Sequence, residues 1–558
     1  MRIRKDLGWV ILLSLIVLLP NLILCCVGSD LKGDFLKTVG YLCFSVTIFL
    51  LPSFILKAKQ FFLYQGLFVL LAPIEIAHLY QNKMPVKSGF MMLLWDTNWQ
   101  ESTELLSSFK PFIVYALIVI FIYFFVAITK ITNSFLLPNK KARWIALSAF
   151  VAVFLSGFLY SCYLSFKVTP VKSEMLPVAI ANYQSKFHKI YPCNLVVSAV
   201  NVWEIRQKIR QINENIANVS FDAQKRTPID QQEVYVFVLG ETARYNSFSI
   251  NGYERKTSPM LEQIASLISF SDFYSEANVT QFALPLILSP VAPQTYNNYY
   301  REKTFVDAFK EAGFATYWIA NQSASNNFIR RIAKDADGEF FSTMEFDAVN
   351  NYDEYLWTYF DKVLQTDTSK MFVFLHTLGS HFRYNFRYPE SFKVFNPCFE
   401  GAFDYTRINK KNKEMLVNTY DNSILYTDYF LANTIRKLDS LKVASYLIYT
   451  SDHGENLYDD NRNMSLHANV IPTEYDVHVP FFVWTSEKYN ELYPHKVQAL
   501  ESNKDKPASA AAIFYTTLDL ADITFPRLDL AKSLASGTFQ EDSIRYILKI
   551  DMTISTFP

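Results

Sequence analysis

The sequence predicts an N-terminal α-helical membrane domain of five spans, followed by an α/β domain with a central mixed, mostly parallel sheet. Three observations carry this. Long apolar runs crowd the chain up to Phe166, and no comparable run follows. Beyond Gln232, short β-branched strands alternate with helical stretches, the pattern of a sheet covered on both faces. Three of those strands end in metal-ligand side chains, and open α/β sheets gather ligands at the carboxyl ends of their strands.

At 558 residues the chain is too long for one domain. The reading divides it into a membrane domain at 1–166, a linker with an amphipathic helix at 167–231, and an outer domain at 232–558. The five spans are Gly8–Val27, Thr38–Leu56, Phe61–Leu79, Pro111–Thr129 and Trp144–Phe166. Each is near the ~20 residues that a bilayer requires. Glu75 is the main charge inside them.

Basic residues set the orientation. Arg2, Arg4 and Lys5 precede the first span, Lys57 and Lys59 follow the second, and Lys130, Lys140, Lys141 and Arg143 lie between the fourth and fifth. The opposite loops dilute their lysines with Asp30, Asp34, Asp96, Glu101 and Glu104. The N-terminus is therefore expected in the cytoplasm and the outer domain beyond the membrane. A cleaved signal peptide would not be followed by four more apolar runs.

Formal charge is zero, and the absence of a basic stripe argues against a nucleic-acid partner. Cys25, Cys26, Cys43 and Cys162 lie in or beside the spans, so only Cys193 and Cys398 could form a disulfide outside them. The outer domain must therefore be held by its core.

In the linker, Lys167–Pro192 is polar and irregular, whereas 196–216 is helix-like. Val202, Ile205, Ile209, Ile212 and Ile216 fall on one face. Such a face suits a packed helix, and also one resting on a membrane. Strands are expected at Val234–Leu239, Ile268–Phe273, Ala315–Ala320, Met371–Leu375, Tyr446–Thr450 and Val479–Trp484. Helices are expected at Lys303–Ala312, Glu414–Ser440 and Ala508–Ala521.

The chemistry lies at the strand ends. Glu241 follows the first strand, Asp452 and His453 follow the fifth, and His376 ends the fourth, with His381 just beyond. Carboxylate oxygens and imidazoles converging there suit zinc or manganese. Thr280 is the candidate nucleophile. Its hydroxyl is weak at neutral pH, and a bound metal ion would ease loss of its proton. At a helix start, neighbouring amides would favour an anion; the plain alternative is that Thr280 is only an N-cap.

Taken together, these residues resemble the membrane-anchored phosphoethanolamine transferases of the lipid A-modifying type, within the alkaline phosphatase/sulfatase superfamily. The resemblance runs through Leu239-Gly240-Glu241-Thr242-Ala243-Arg244, Asn251-Gly252-Tyr253 and Ser258-Pro259. It continues through Thr280 with Pro285 and Ser289, then Leu375-His376-Thr377-Leu378-Gly379-Ser380-His381 and Arg387-Tyr388-Pro389. Asn418-Thr419-Tyr420-Asp421-Asn422, Ser451-Asp452-His453-Gly454-Glu455, Leu466-His467 and Val479-Pro480 complete it.

The resemblance implies an alkaline phosphatase/sulfatase-like fold and one tight zinc site formed by Glu241, Thr280, Asp452 and His453. Thr280 would become covalently loaded. His381 and His467 would act on the transferring phosphate or hold a second zinc. His376 and Asn321 would line the substrate site, and Thr97 and Glu101 the donor site. The donor would be phosphatidylethanolamine and the acceptor a glycolipid, with lipid A or another envelope glycan as candidates. The setting would be the bacterial inner membrane, with a periplasmic outer domain acting as a monomer amid membrane lipid. Three departures stand out: Glu276-Ala277-Asn278 replaces the family's Cys-Gly-Thr, Asn326 a substrate-binding lysine, and Leu93 an asparagine.

Three rival readings make different demands. A sulfatase wants Cys or Ser followed by x-Pro-x-Arg, which Thr280-Gln281-Phe282-Ala283-Leu284 lacks. A glycerophosphate transferase of the lipoteichoic-acid type shares the threonine logic, but its motifs match less well. A catalytically dead scaffold should have lost ligands, whereas all four metal positions are filled.

Overall fold

The computed structural model describes residues 5–27, 35–82, 85–88, 90–91, 110–137, 139–168, 187, 189–216, 219–227, 229–322, 327–341, 352–366, 368–401, 408–461, 465–469 and 471–557. They form two compact units, one of Met1–Leu94 with Phe109–Arg206 and one containing Gln207–Pro558.

The first unit is helical: α1 (Leu7–Val27), α2 (Phe35–Leu50), α3 (Ala58–Asn82), α4 (Lys110–Thr129), α5 (Lys140–Val168) and the start of α6 (Cys193–Ile216). Four of these, α1, α3, α4 and α5, are long and apolar enough to cross a membrane. The expected count of five spans is thus not confirmed among the described residues: the second expected span coincides with α2, which is shorter than the other four. Its helix has 16 residues and passes into a single 3-10 turn at Leu51–Phe54, where Pro52 cannot donate to a helical ladder. At 1.5 Å per residue α2 rises about 24 Å and the 3-10 turn, at about 2.0 Å per residue, adds about 8 Å, against roughly 30 Å of hydrocarbon.

Several buried polar groups within this unit are paired, as an apolar setting favours. Asp6 accepts from the Thr132 N–H (2.8 Å) and hydroxyl (2.7 Å). Buried Glu75 accepts from the Asn194 amide at 2.9 Å and the Val86 N–H at 3.3 Å. Both Cys193 and Cys398 are free thiols, so the disulfide allowed by the sequence is not made.

The second unit is built on a seven-stranded sheet of β1 (Glu233–Gly240), β2 (Leu267–Ser269), β3 (Ala315–Ala320), β4 (Gly338–Phe341), β5 (Lys370–His376), β6 (Ala444–Ser451) and β7 (Phe481–Thr485). The strand order is β2-β7-β6-β1-β5-β3-β4. Only β7 runs antiparallel to its neighbours, so the sheet is mixed and mostly parallel, as expected. The central strands β1 and β6 are buried at every position, which explains why they read as continuous apolar runs rather than alternating ones.

Helix α7 (Thr280–Leu288) is short, and α8 (Lys413–Ser440) runs for 28 residues against the sheet, burying Leu416, Tyr420, Ile424, Leu431 and Ile435. The strand expected at Ile268–Phe273 divides. Its first part is β2, and its last residue opens a two-residue strand, Phe273–Tyr274, that pairs with Ala508–Ser509. That pairing also removes the start of the helix expected at Ala508–Ala521, which begins at Ala511.

Asp335 offers a test of the packing beyond β3. Burial, then the neighbouring Asp307 carboxylate, raise its pKa to about 7, partly offset by Arg331, Lys303 and Lys310. A carboxyl raised above its unfolded value of about 3.9 contributes stability below that pH and loses it as pH rises through about 7. Asp335→Asn should therefore stabilise the unit by about 1–2 kcal/mol near pH 8, after discount for solvent, and by almost nothing near pH 4. Thermal melts of the full chain at the two pH values check this.

Candidate functional site

Strands β6, β1 and β5 are consecutive in the sheet and end in register: Gly240 pairs with Ser451, and Leu239 with His376. Residues that follow them therefore leave the sheet side by side, at its carboxyl edge. Glu241, Asp452 and His453 each place one ligand atom within 4.8 Å of the others, and all three are buried. The Thr280 hydroxyl donates to Glu241 Oε1 at 3.0 Å and lies 3.2 Å from His453 Nε2. The N-cap of α7 is Val279, so Thr280 is not spent on capping its own helix.

The turn beyond β1 is held by force. Thr242 has φ of +62°, a conformation costly for a β-branched residue. Three bonds fix it there: its N–H donates to Asp452 Oδ1 (3.1 Å), its carbonyl accepts from the Tyr420 hydroxyl (2.7 Å), and the Ala243 N–H donates to Ser451 Oγ (2.7 Å). The loop after β5 presses on the same turn. Gly379 has φ of +50°, and a Cβ there would lie 2.8 Å from the Glu241 nitrogen, so only glycine fits. The next residue, Ser380, donates its N–H to the Glu241 carbonyl at 2.9 Å.

The donor set fits a divalent cation. His453 Nδ1 lies 2.9 Å from the Gly454 carbonyl, which assigns the proton to Nδ1 and leaves the Nε2 lone pair facing the two carboxylates. Asp452 Oδ1 accepts from the N–H groups of Thr242 and His453. Its Oδ2 is buried with no hydrogen-bond partner among the described residues, 3.4 Å from His453 Nε2. An orphaned carboxylate oxygen, a second carboxylate and an imidazole lone pair in one small sphere match zinc chemistry. Burial and then Asp452 push Glu241 well above the usual carboxylate range, because two buried carboxylates this close cannot both stay charged unaided.

A second pair of histidines stands beside this cluster. The His467 ring lies 4.3 Å from that of His453 and 6.4 Å from that of His381. Glu455 is fully buried; its Oε1 faces His467 Nδ1 at 3.3 Å, and its Oε2 accepts from the Tyr384 hydroxyl at 2.7 Å. Burial works against a charged His467, but Glu455 outweighs it and raises the group above its ordinary value. Burial, then Arg387 and the other histidines, lower His381 well below it. His467 is thus the one favoured to be charged, and His381 the one kept neutral.

The other expected residues fall elsewhere. His376 is fully buried beside Trp318 and Phe374, with both ring nitrogens unpartnered among the described residues and its pKa held down to about 4 by burial. Asn321 is buried too: its amide donates to Asp353 Oδ1 at 2.8 Å and its N–H to the His376 carbonyl. Asp353 also accepts the N–H groups of Leu378 (2.7 Å) and Gly379 (2.9 Å), so the two residues brace the turn that carries His381. Thr97, Glu101 and Asn326 lie outside the described residues. Sequence reasoning missed Asp353 and Tyr384, whose partners are 25 and 71 residues away. Glu455 was visible only as part of a motif.

Comparison with known proteins agrees with this geometry. The sulfatase family pattern matches residues 233–523, which hold every member of the cluster. Phosphoethanolamine transferase EptC of Escherichia coli K12 is 26% identical over 387 residues, covering 67% of this chain and 65% of that protein. The chain thus spans just under two thirds of that relative's length. The periplasmic domain of E. coli EptC, solved in complex with Zn, matches with a TM-score of 0.53 at 26% identity, covering 58% of this chain and 91% of that one. The integral membrane protein EptA of Neisseria meningitidis matches over 94% of this chain and 98% of its own, with a TM-score of 0.70; at 22% identity it shows the fold, apolar helices followed by an α/β domain. With more than half of its length matched by the family pattern, the chain belongs to the sulfatase family.

Proposed function

We propose that this chain is a zinc-dependent phosphoethanolamine transferase of the inner membrane. It takes phosphoethanolamine from phosphatidylethanolamine and passes it to an envelope glycolipid such as lipid A. The observation that carries this reading is the Thr280 hydroxyl, poised 3.0 Å from Glu241 and 3.2 Å from His453 at the mouth of a cation-binding cluster. The names of the relatives supply the transferred group.

The reaction is two displacements at phosphorus. Thr280 gives up its hydroxyl proton to water, and its Oγ attacks the lipid phosphate. The bond from phosphorus to the glycerol oxygen breaks, and diacylglycerol leaves as the alcohol after taking a proton. The acceptor oxygen then attacks phospho-Thr280, and the Thr280 hydroxyl is restored. Glu241, Asp452, His453 and Thr280 would hold one zinc ion, which would supply positive charge against the oxyanions and ease deprotonation of the hydroxyl. His467, oriented by Glu455, donates the proton to the departing oxygen, and His381 accepts one from the incoming group. The same pair could hold a second ion.

The double variant His381→Ala/His467→Ala should keep its zinc but slow turnover by a factor on the order of 10² or more. The measurement is diacylglycerol release without acceptor, followed by transfer when acceptor is added. Normal release with lost transfer assigns the pair to the second step; normal rates for both remove it from the mechanism. Topology is tested separately. A periplasm-active reporter should work when fused after Pro558 and be silent at Asn139, and activity at Asn139 would refute the orientation.

A further inference from the structure

Helix α6 departs from the first unit with an outward face that water does not suit. Between Cys193 and Trp203, its exposed residues are Val196, Ala199, Val200 and Trp203, spaced i, i+3, i+4 and i+7, and all are apolar. Val196 is 52% exposed, Val200 48% and Trp203 62%. A helix face turned to water is normally polar. The opposite face is the packed one: Asn194, Leu195, Ser198 and Val202 are buried.

The root of the helix is fixed deep among the apolar helices. Asn21 of α1 clamps Tyr191 through both its N–H (3.0 Å) and its carbonyl (2.9 Å), and the Tyr191 hydroxyl donates to the Phe68 carbonyl of α3. Asn194 is bonded to Glu75 of α3 at 2.9 Å and to the Val86 carbonyl at 3.2 Å. The apolar stretch of α3 ends at Tyr80. At 1.5 Å per residue, Glu75 sits roughly 8 Å before that end. The first turn of α6 therefore starts inside the apolar belt, and Trp203 is about 14 Å of helix farther on. The helix to which it is tied also exposes apolar side chains, among them Leu67, Leu70, Leu71 and Ile74 of α3.

We propose that α6 lies in the outer membrane–water interface of the same bilayer, with Val196, Val200 and Trp203 set into the boundary between headgroups and acyl chains. Tryptophan favours that layer, where its ring is sheltered and its N–H stays hydrated. An apolar stripe of this kind holds a helix in the interface plane. This inference rests on the reading of the apolar helices as membrane spans.

The test reconstitutes the full chain in phosphatidylcholine vesicles with brominated acyl chains and measures tryptophan quenching in wild type, Trp203→Phe and Trp144→Phe. Trp144 lies on α5, is 59% exposed and serves as the membrane control. With eight tryptophans in the chain, each substitution should remove about one part in eight of the total emission and a larger share of the lipid-quenched part, because Trp318 and Trp484 are buried in the second unit. The inference predicts comparable losses for Trp203→Phe and Trp144→Phe. It is overturned if Trp203→Phe removes only signal quenched by aqueous iodide, which puts the face in water. It is equally overturned if neither quencher reaches Trp203, which puts the face against protein. Loss of lipid quenching in neither variant would overturn the membrane reading and this inference together.

Discussion

Thr280→Ala should reduce transfer of phosphoethanolamine to background, a loss on the order of 10⁴-fold or more, typical of removing a covalent nucleophile. Zinc content and thermal stability should change little, because Glu241, Asp452 and His453 remain and Thr280 is not the N-cap of α7. Thr280→Ser should retain partial activity, since the hydroxyl is kept while the methyl group that limits its rotamers is lost. The three proteins can be compared by transfer rate and by zinc measured on the same preparations. A wild-type rate in Thr280→Ala would end the covalent mechanism.

Asp452→Ala should have the second largest effect, by a different route. Asp452 carries the orphaned Oδ2 of the cluster, and its Oδ1 also pins the strained Thr242. Its removal takes away one ligand, one balancing charge and one support of the turn that carries Glu241. Zinc affinity should fall by more than about 100-fold, since lesser changes to the partners of metal ligands already cost 10–100-fold. Activity should fall with occupancy and be partly restored by excess zinc. Direct titration of zinc into the metal-free protein provides the measurement. Unchanged affinity would move the cation site elsewhere.

Much of this site could be read from the sequence, for a physical reason. β1 and β6 are buried on both faces, so each reads as an unbroken apolar run, and the first polar residues after it mark the edge of the sheet. That placed Glu241, Asp452 and His453 at strand ends. It could not show that β6, β1 and β5 are neighbours, because sheet order depends on pairings between segments far apart in the chain, such as Glu233 with Lys370 and with Ala444. The supports were hidden for the same reason. Asp353 acts on the turn at Leu378 and Gly379, and Tyr384 acts on Glu455; neither pairing leaves a local pattern. Asn321 was read as a substrate contact from its place near a motif, and its amide donates inward to Asp353, a pairing that leaves no local pattern either.

In the first unit, hydropathy located an apolar helix for each of the five expected spans, and four of them meet the length for crossing a membrane among the described residues. Composition alone does not register where Pro52 turns the chain into a 3-10 segment after only 16 residues of α-helix. The short strand Gly338–Phe341 at the sheet edge and the hairpin of Arg545–Leu548 with Ile554–Phe557 also escaped notice, each being only four residues long. The face of α6 was read from its later isoleucines. Its first three turns carry the more telling stripe, Val196, Ala199, Val200 and Trp203.

The central claim is that Thr280 becomes loaded with phosphoethanolamine. Its most direct test is mass spectrometry of the peptide containing Thr280, after the zinc-loaded full chain is incubated with phosphatidylethanolamine and no acceptor. The mechanism predicts a phosphoethanolamine adduct on Thr280, formed together with released diacylglycerol and lost when acceptor is added. Released diacylglycerol with Thr280 unmodified, or an adduct of glycerophosphate in its place, would contradict it.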